Sequence, residues 1–183
     1  MCYKIAAKRT KYRGIWFKSS LEARVAEALD ELGVAWEYES RGFRDKAYSG
    51  GQYTPDFYLP DLHVYIEVVG RIDERHLRNA QVFCRSQNAA NLELWPEDGF
   101  PRITENTPAF VFVTSGGFLM DANQRKVNNG WSNISVSRCG KCKRIIFIDD
   151  TGMWVCPYCG GDYGKHHSGN NNLFDYVEKR RLR

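Results

Sequence analysis

Tyr53-Thr54-Pro55-Asp56-Phe57-Tyr58-Leu59-Pro60-Asp61-Leu62-His63-Val64-Tyr65-Ile66-Glu67-Val68-Val69-Gly70 is the stretch on which the fold turns. Its β-branched and aromatic residues gather in two runs, Tyr53 to Leu59 and His63 to Val69, and Pro60-Asp61 between them is a turn pair. Two neighbouring strands are expected, closed by Gly70. Each carries one acid. Asp56 falls at a bend after a proline. Glu67 interrupts an otherwise apolar strand, where an unpaired carboxylate is costly. A divalent cation is the usual reason for two such acids to converge. Strand alternation puts Glu67 and Val69 on one face and Val68 on the other. Taken singly, Asp56 also suits a turn, and Glu67 also suits an ion pair with Arg71 or Arg75.

On the N-terminal side, Ser19-Ser20-Leu21-Glu22 opens a helix, with Ser19 as cap and Glu22 three residues on. Leu21, Val25, Ala28, Leu29 and Leu32 follow at helical spacing, and Gly33 stops it. Val34 to Glu39 is a short strand, and Arg44 to Gly51 a polar turn. The first dozen residues are basic, lack periodicity and read as an arm. On the C-terminal side, a second helix spans Asp73 to Ser86, with Leu77, Ala80, Phe83 and Cys84 on one face. Leu92 to Trp95 and Ala109 to Thr114 are further strands, and Gly116 to Asn133 reads as a connection. Helix, meander, helix and strand predict an α/β sandwich around a mixed sheet.

Cys139-Gly140-Lys141-Cys142, thirteen residues, then Cys156-Pro157-Tyr158-Cys159 is a metal-ligand pattern. Two knuckles of this spacing close a tetrahedron of thiolates on one Zn²⁺, and four thiolates leave no position for water, so the ion is structural. Ile145 to Ile148 and Met153 to Val155 are expected to pair as a hairpin between the knuckles. His166 and His167 follow, but no later histidine completes a His-Asn-His nuclease site, so they read as linker. The last residues, Leu173 to Arg183, read as a short basic helix.

The formal net charge is only +4, yet the basic residues cluster at 8–13, 71–85, 141–144 and 179–183. Such clusters are solvated faces or phosphate contacts. Arg71, Arg75, Arg78, Lys141, Lys143 and Arg144 are the candidates for the second role. The start of the chain meets charge at once and shows no leader, and no apolar run has transmembrane length. A cytoplasmic protein without membrane contact is the expectation.

Phe17-Lys18-Ser19-Ser20-Leu21-Glu22-Ala23-Arg24, Trp36-Glu37-Tyr38-Glu39, Tyr53-Thr54-Pro55-Asp56-Phe57 and Ile66-Glu67-Val68-Val69-Gly70, in that order, resemble the PD-(D/E)XK nuclease superfamily, over about residues 13–90. The resemblance implies a restriction-endonuclease-like α/β sandwich with a central mixed sheet, and a metal-dependent DNA endonuclease. It makes Asp56 and Glu67 ligands of Mg²⁺ (or Mn²⁺), with the Val68 carbonyl as a further candidate ligand and Glu22 assisting from the helix. The family usually has lysine where this chain has Val69. Either Lys18, Arg71 or Arg75 supplies that cation, or the site is degenerate and the fold binds DNA or serves as an assembly subunit. Division of the chain follows: a basic arm at 1–12, a nuclease-like domain at 13–130, a C-terminal zinc-ribbon β module at 131–165, and a linker with basic tail at 166–183. DNA is the expected partner, with a protein partner on the ribbon as a further expectation. A phage or mobile-element origin would fit the family's distribution.

Overall fold

A computed structural model describes residues 7–87, 109–121, 133–149, 156, 159–160 and 172–181. These described residues form an α/β structure with a mixed sheet and three helices. The elements run β1 (Thr10–Tyr12), β2 (Ile15–Phe17), α1 (Ser20–Leu32), β3 (Glu37–Tyr38), β4 (Phe43–Arg44), β5 (Gln52–Tyr53), β6 (Phe57–Leu59), β7 (Val64–Val69), α2 (Glu74–Ser86), β8 (Ala109–Thr114), β9 (Leu119–Asp121), β10 (Asn133–Arg138), β11 (Ile145–Asp149) and α3 (Leu173–Arg181). The central sheet has seven strands in the order β11-β10-β9-β8-β7-β6-β3. All neighbours are antiparallel except β7 and β8, which run parallel, so the chain must cross over between them, and α2 lies in that connection.

Alternation along the central strands builds two cores. Val64, Ile66, Val111 and Val113 point to one face, where Phe17, Val25, Ala26, Leu29 and Leu32 of β2 and α1 meet them. Tyr65, Val69, Phe110 and Phe112 point to the other, where Ala80, Phe83 and Cys84 of α2 meet them. That second core is aromatic, with Tyr65 edge-on to Phe83 at 4.8 Å between centroids. Each such pair adds about 0.5–1.5 kcal/mol beyond its burial.

Both predicted helix starts hold. Ser19 Oγ accepts from the Glu22 N–H at 3.1 Å, and Gly33 closes α1 at φ 69°. Asp73 caps α2 by accepting from the His76 N–H at 2.9 Å. The expected strand from Tyr53 to Leu59 is two strands instead. Thr54-Pro55-Asp56 turns the chain between them, so β5 pairs with β4 and β6 with β7. Proline supplies no N–H to continue a ladder, which is why the break falls there.

Residues 10–17, expected within or beside a basic arm, form a hairpin on α1. Arg13 at φ 47° and Gly14 at φ 86° make the tight two-residue turn, with both φ positive as a type I′ turn requires. Three donors converge on Asp30 of α1 to fix it: Tyr12 Oη at 2.9 Å, Trp36 Nε1 at 3.1 Å and Arg13 Nη1 at 2.8 Å.

β9 belongs to the expected nuclease-like domain and β10 to the expected zinc module, yet the two pair in one sheet. β11 pairs with β10, while the strand expected at Met153 to Val155 lies outside the described residues, as do Leu92 to Trp95, His166 and His167. The C-terminal segment forms the expected helix, but as part of the core. Leu173 and Val177 are buried against α1 and β10. Among the described residues, no helix is long and apolar enough to cross a membrane.

Candidate functional site

Continuing the β6–β7 register, in which Phe57 faces Ile66, sets Asp56 opposite Glu67. Asp56 Oδ2 accepts from the Val68 N–H at 2.7 Å. Glu67 Oε2 accepts from the Tyr53 hydroxyl at 2.8 Å. Among the described residues these are the hydrogen bonds of the two carboxylates, and each leaves one oxygen open. Burial, then the neighbouring Glu67 charge, holds the Asp56 carboxyl well above the usual carboxylate range, against the Val68 N–H. Burial also raises Glu67, to about 7 from an ordinary 4.5, although Tyr53, Arg75 and Lys18 all pull it down. Two facing acids that resist ionising together define a place where positive charge is wanted.

Glu22 enters from the α1 side and is only 6 % exposed. Its oxygens are already held. Oε1 accepts from Ser19 Oγ at 2.7 Å, and Oε2 from the Lys18 N–H at 3.0 Å and Tyr38 Oη at 2.6 Å. Glu22 therefore caps its helix and acts on Asp56 and Glu67 as a nearby charge. Burial and this hydrogen bond push the Tyr38 phenol far up, so it remains a donor.

Of the three candidate cations, Lys18 and Arg75 act on the pair. Lys18 is ion-paired with Glu39, and that hydrogen bond, together with the charges of Asp56 and Glu22, raises the ammonium's pKa. Glu39 is tied to the same place, since its N–H donates to the Asp56 carbonyl at 2.8 Å. Arg75 lowers Glu67 from the first turn of α2. Arg71 is exposed in the turn before that helix. Val69 is 3 % exposed among the aromatic residues packed by α2. Arg78 Nε is bonded to the Ala47 carbonyl at 3.1 Å.

Tyr53, Tyr38 and Glu39 were not legible as site residues. Each acts through a partner at least fourteen positions away, and no local spacing signals that.

The four cysteines form a second, separate cluster. Their sulfurs lie within 4.8 Å of one another, the only such group of three or more metal-capable side chains among the described residues. Cys139 and Cys159 Sγ are 3.6 Å apart and Cys142 and Cys156 Sγ 3.7 Å, too far for disulfides. A tetrahedron with Zn–S bonds of about 2.3 Å has edges of about 3.8 Å, so the spacing fits the ion. Both knuckles turn alike. Lys143 N–H donates to the Cys139 carbonyl with Lys143 at φ 63°, and Gly160 N–H to the Cys156 carbonyl with Gly160 at φ 62°. The N–H groups of Lys141 and Cys142 also donate to Cys139 Sγ, which favours the thiolate. Lys141, Lys143 and Arg144 are exposed on this knuckle. Cys139 and Cys142 lie in the β10–β11 turn, three to four strand spacings from β7, about 14–19 Å, so an ion held there would stand apart from the acid pair.

Comparison with known protein families, curated proteins and solved structures finds no match to this chain.

Proposed function

We propose that this chain is a metal-dependent endonuclease of the PD-(D/E)XK type that hydrolyses DNA phosphodiester bonds. One observation carries the reading: Asp56 and Glu67 face each other across β6 and β7, each with an open oxygen and each resisting ionisation. Hard oxygen donors of this kind suit Mg²⁺, which takes one or two carboxylates and keeps several waters, so a missing third protein ligand is no obstacle. Mg²⁺ or Mn²⁺ in such a site lowers the pKa of bound water and stabilises the leaving oxygen. The protein's own part is positional. Val68 N–H and Tyr53 Oη orient the two carboxylates, Glu22 and Tyr38 fix the start of α1 beside them, and Lys18 and Arg75 supply positive charge. Lys18, exposed and within reach of the Asp56 and Glu22 charges, is the cation assigned to face the attacking water. Arg71, Arg78 and the first zinc knuckle are the remaining candidates for phosphate contact, and that knuckle is also the candidate surface for a protein partner.

Val69 favours a second reading, a degenerate site whose fold binds DNA or serves in an assembly. The side chain at the position of the family's lysine is packed into the aromatic core and cannot deliver charge. Cleavage of duplex, single-stranded and branched DNA in Mg²⁺ or Mn²⁺ separates the two. Wild type that binds DNA but cuts none of these, while Val69→Lys gains cutting, establishes the degenerate site.

A further inference from the structure

The β1–β2 hairpin presents a face that the acid pair does not use. Trp16 is 55 % exposed, the most open large apolar side chain among the described residues. It stands opposite Lys11 in the hairpin register. The Lys11 ammonium lies 5.7 Å and the Arg9 guanidinium 5.6 Å from its ring centroid. Residues 7–18 hold five cations and no acid. Arg13 is paired with Asp30 and Lys18 with Glu39, while Lys8, Arg9 and Lys11 have no acidic partner among the described residues. The inner face is anchored: Phe17 is fully buried, and Tyr12 is bonded to Asp30. Trp16 is thus held on an anchored ribbon, beside two cations, with its indole half open to solvent.

We infer that this hairpin is a stacking platform for an unpaired base of a DNA strand, with Arg9, Lys11 and Lys8 on the flanking phosphates. A flat aromatic ring among lysines and arginines is complementary to a base joined to phosphates, because every base offers a π-face and every linkage a negative charge. Paired bases have both faces covered by their neighbours in the stack, so an indole held on an anchored strand selects single-stranded tails, gaps or flaps. The platform leads into the start of α1. Two residues beyond Trp16, the Lys18 N–H is bonded to Glu22 and its side chain to Glu39. Two extended residues span about 7 Å. A strand held on Trp16 and followed along β2 would reach Lys18. The inference goes beyond the proposed cleavage and concerns binding alone.

The test is binding of a fluorescein-labelled oligo-dT and of a blunt duplex of equal length, followed by anisotropy without added divalent cation, so that hydrolysis plays no part. Wild type should prefer oligo-dT. Trp16→Ala should weaken that binding about tenfold, change duplex binding less than twofold, and leave the melting temperature unaltered. Trp16→Phe should retain most of the affinity. Lys11→Ala should reduce the slope of log K against log salt by about 0.7. Equal binding of oligo-dT by wild type and Trp16→Ala, or no binding of oligo-dT by wild type, would overturn the inference.

Discussion

Glu67→Gln should stabilise the protein, and increasingly so as pH rises. In the folded chain burial lifts the Glu67 carboxyl to about 7, whereas an exposed glutamate ionises near 4.5. Between those values the unfolded chain releases a proton that the folded chain keeps, so rising pH favours unfolding. At about 1.4 kcal/mol for each pH unit separating the two values, the carboxylate opposes folding by about 3 kcal/mol at pH 8 and about 1 kcal/mol at pH 5. Both figures are ceilings, since Glu67 keeps some access to water. Glutamine stays neutral, has the same shape and still accepts from Tyr53. The stability gap between variant and wild type should therefore widen by about 2 kcal/mol from pH 5 to pH 8, or about 4–8 °C in melting temperature for a chain of this length. Thermal melts of the zinc-loaded proteins, compared at each pH without added Mg²⁺, read the gap directly. Added Mg²⁺ at pH 8 should stabilise wild type more than the variant, because the cation takes over the role of the proton. A variant less stable than wild type at pH 8, or a gap equal at both pH values, would refute the reasoning.

Purified protein should carry one zinc per chain, and Cys156→Ser should lose nearly all of it by elemental analysis; a zinc-free wild type with an intact β10–β11 hairpin would contradict the cysteine site. Leu173→Ala should cost about 2–5 kcal/mol in urea unfolding, because α3 is seated in the core beside α1, whereas a cost below about 0.5 kcal/mol, usual for surface positions, would make it the free tail that its composition resembles.

How far the sequence could be read follows from where each signal lies. α1 was legible from Ser19, Glu22 and Gly33 because caps act within one turn. β7 and α2 were legible because an apolar run ending at Gly70 leads straight to the Asp73 cap. The hairpin at residues 10–17 was hidden by its charge. Lys11 and Trp16 occupy the outer face while Tyr12 and Phe17 turn inward, so the period of two is masked by lysine and arginine. β10 was hidden in a polar segment, since Ser135 and Ser137 alternate with Ile134 and Val136 over only six residues. The facing of Asp56 and Glu67 could be expected from their strands. Their protonation could not, because it depends on burial and on Tyr53, Arg75 and Lys18 arriving from other elements.

Metal-dependent cutting by wild type and by Asp56→Ala tests the central claim most directly. Asp56 provides an open oxygen opposite Glu67, and its removal deletes half of the cation site while relieving repulsion of phosphate. Time courses on duplex, single-stranded and branched DNA, in Mg²⁺ and in Mn²⁺, should show cutting by wild type. Asp56→Ala should show none, with DNA affinity equal to wild type or tighter. Wild type that binds DNA yet cuts no form of it with either ion, or cutting that survives Asp56→Ala, would contradict the account.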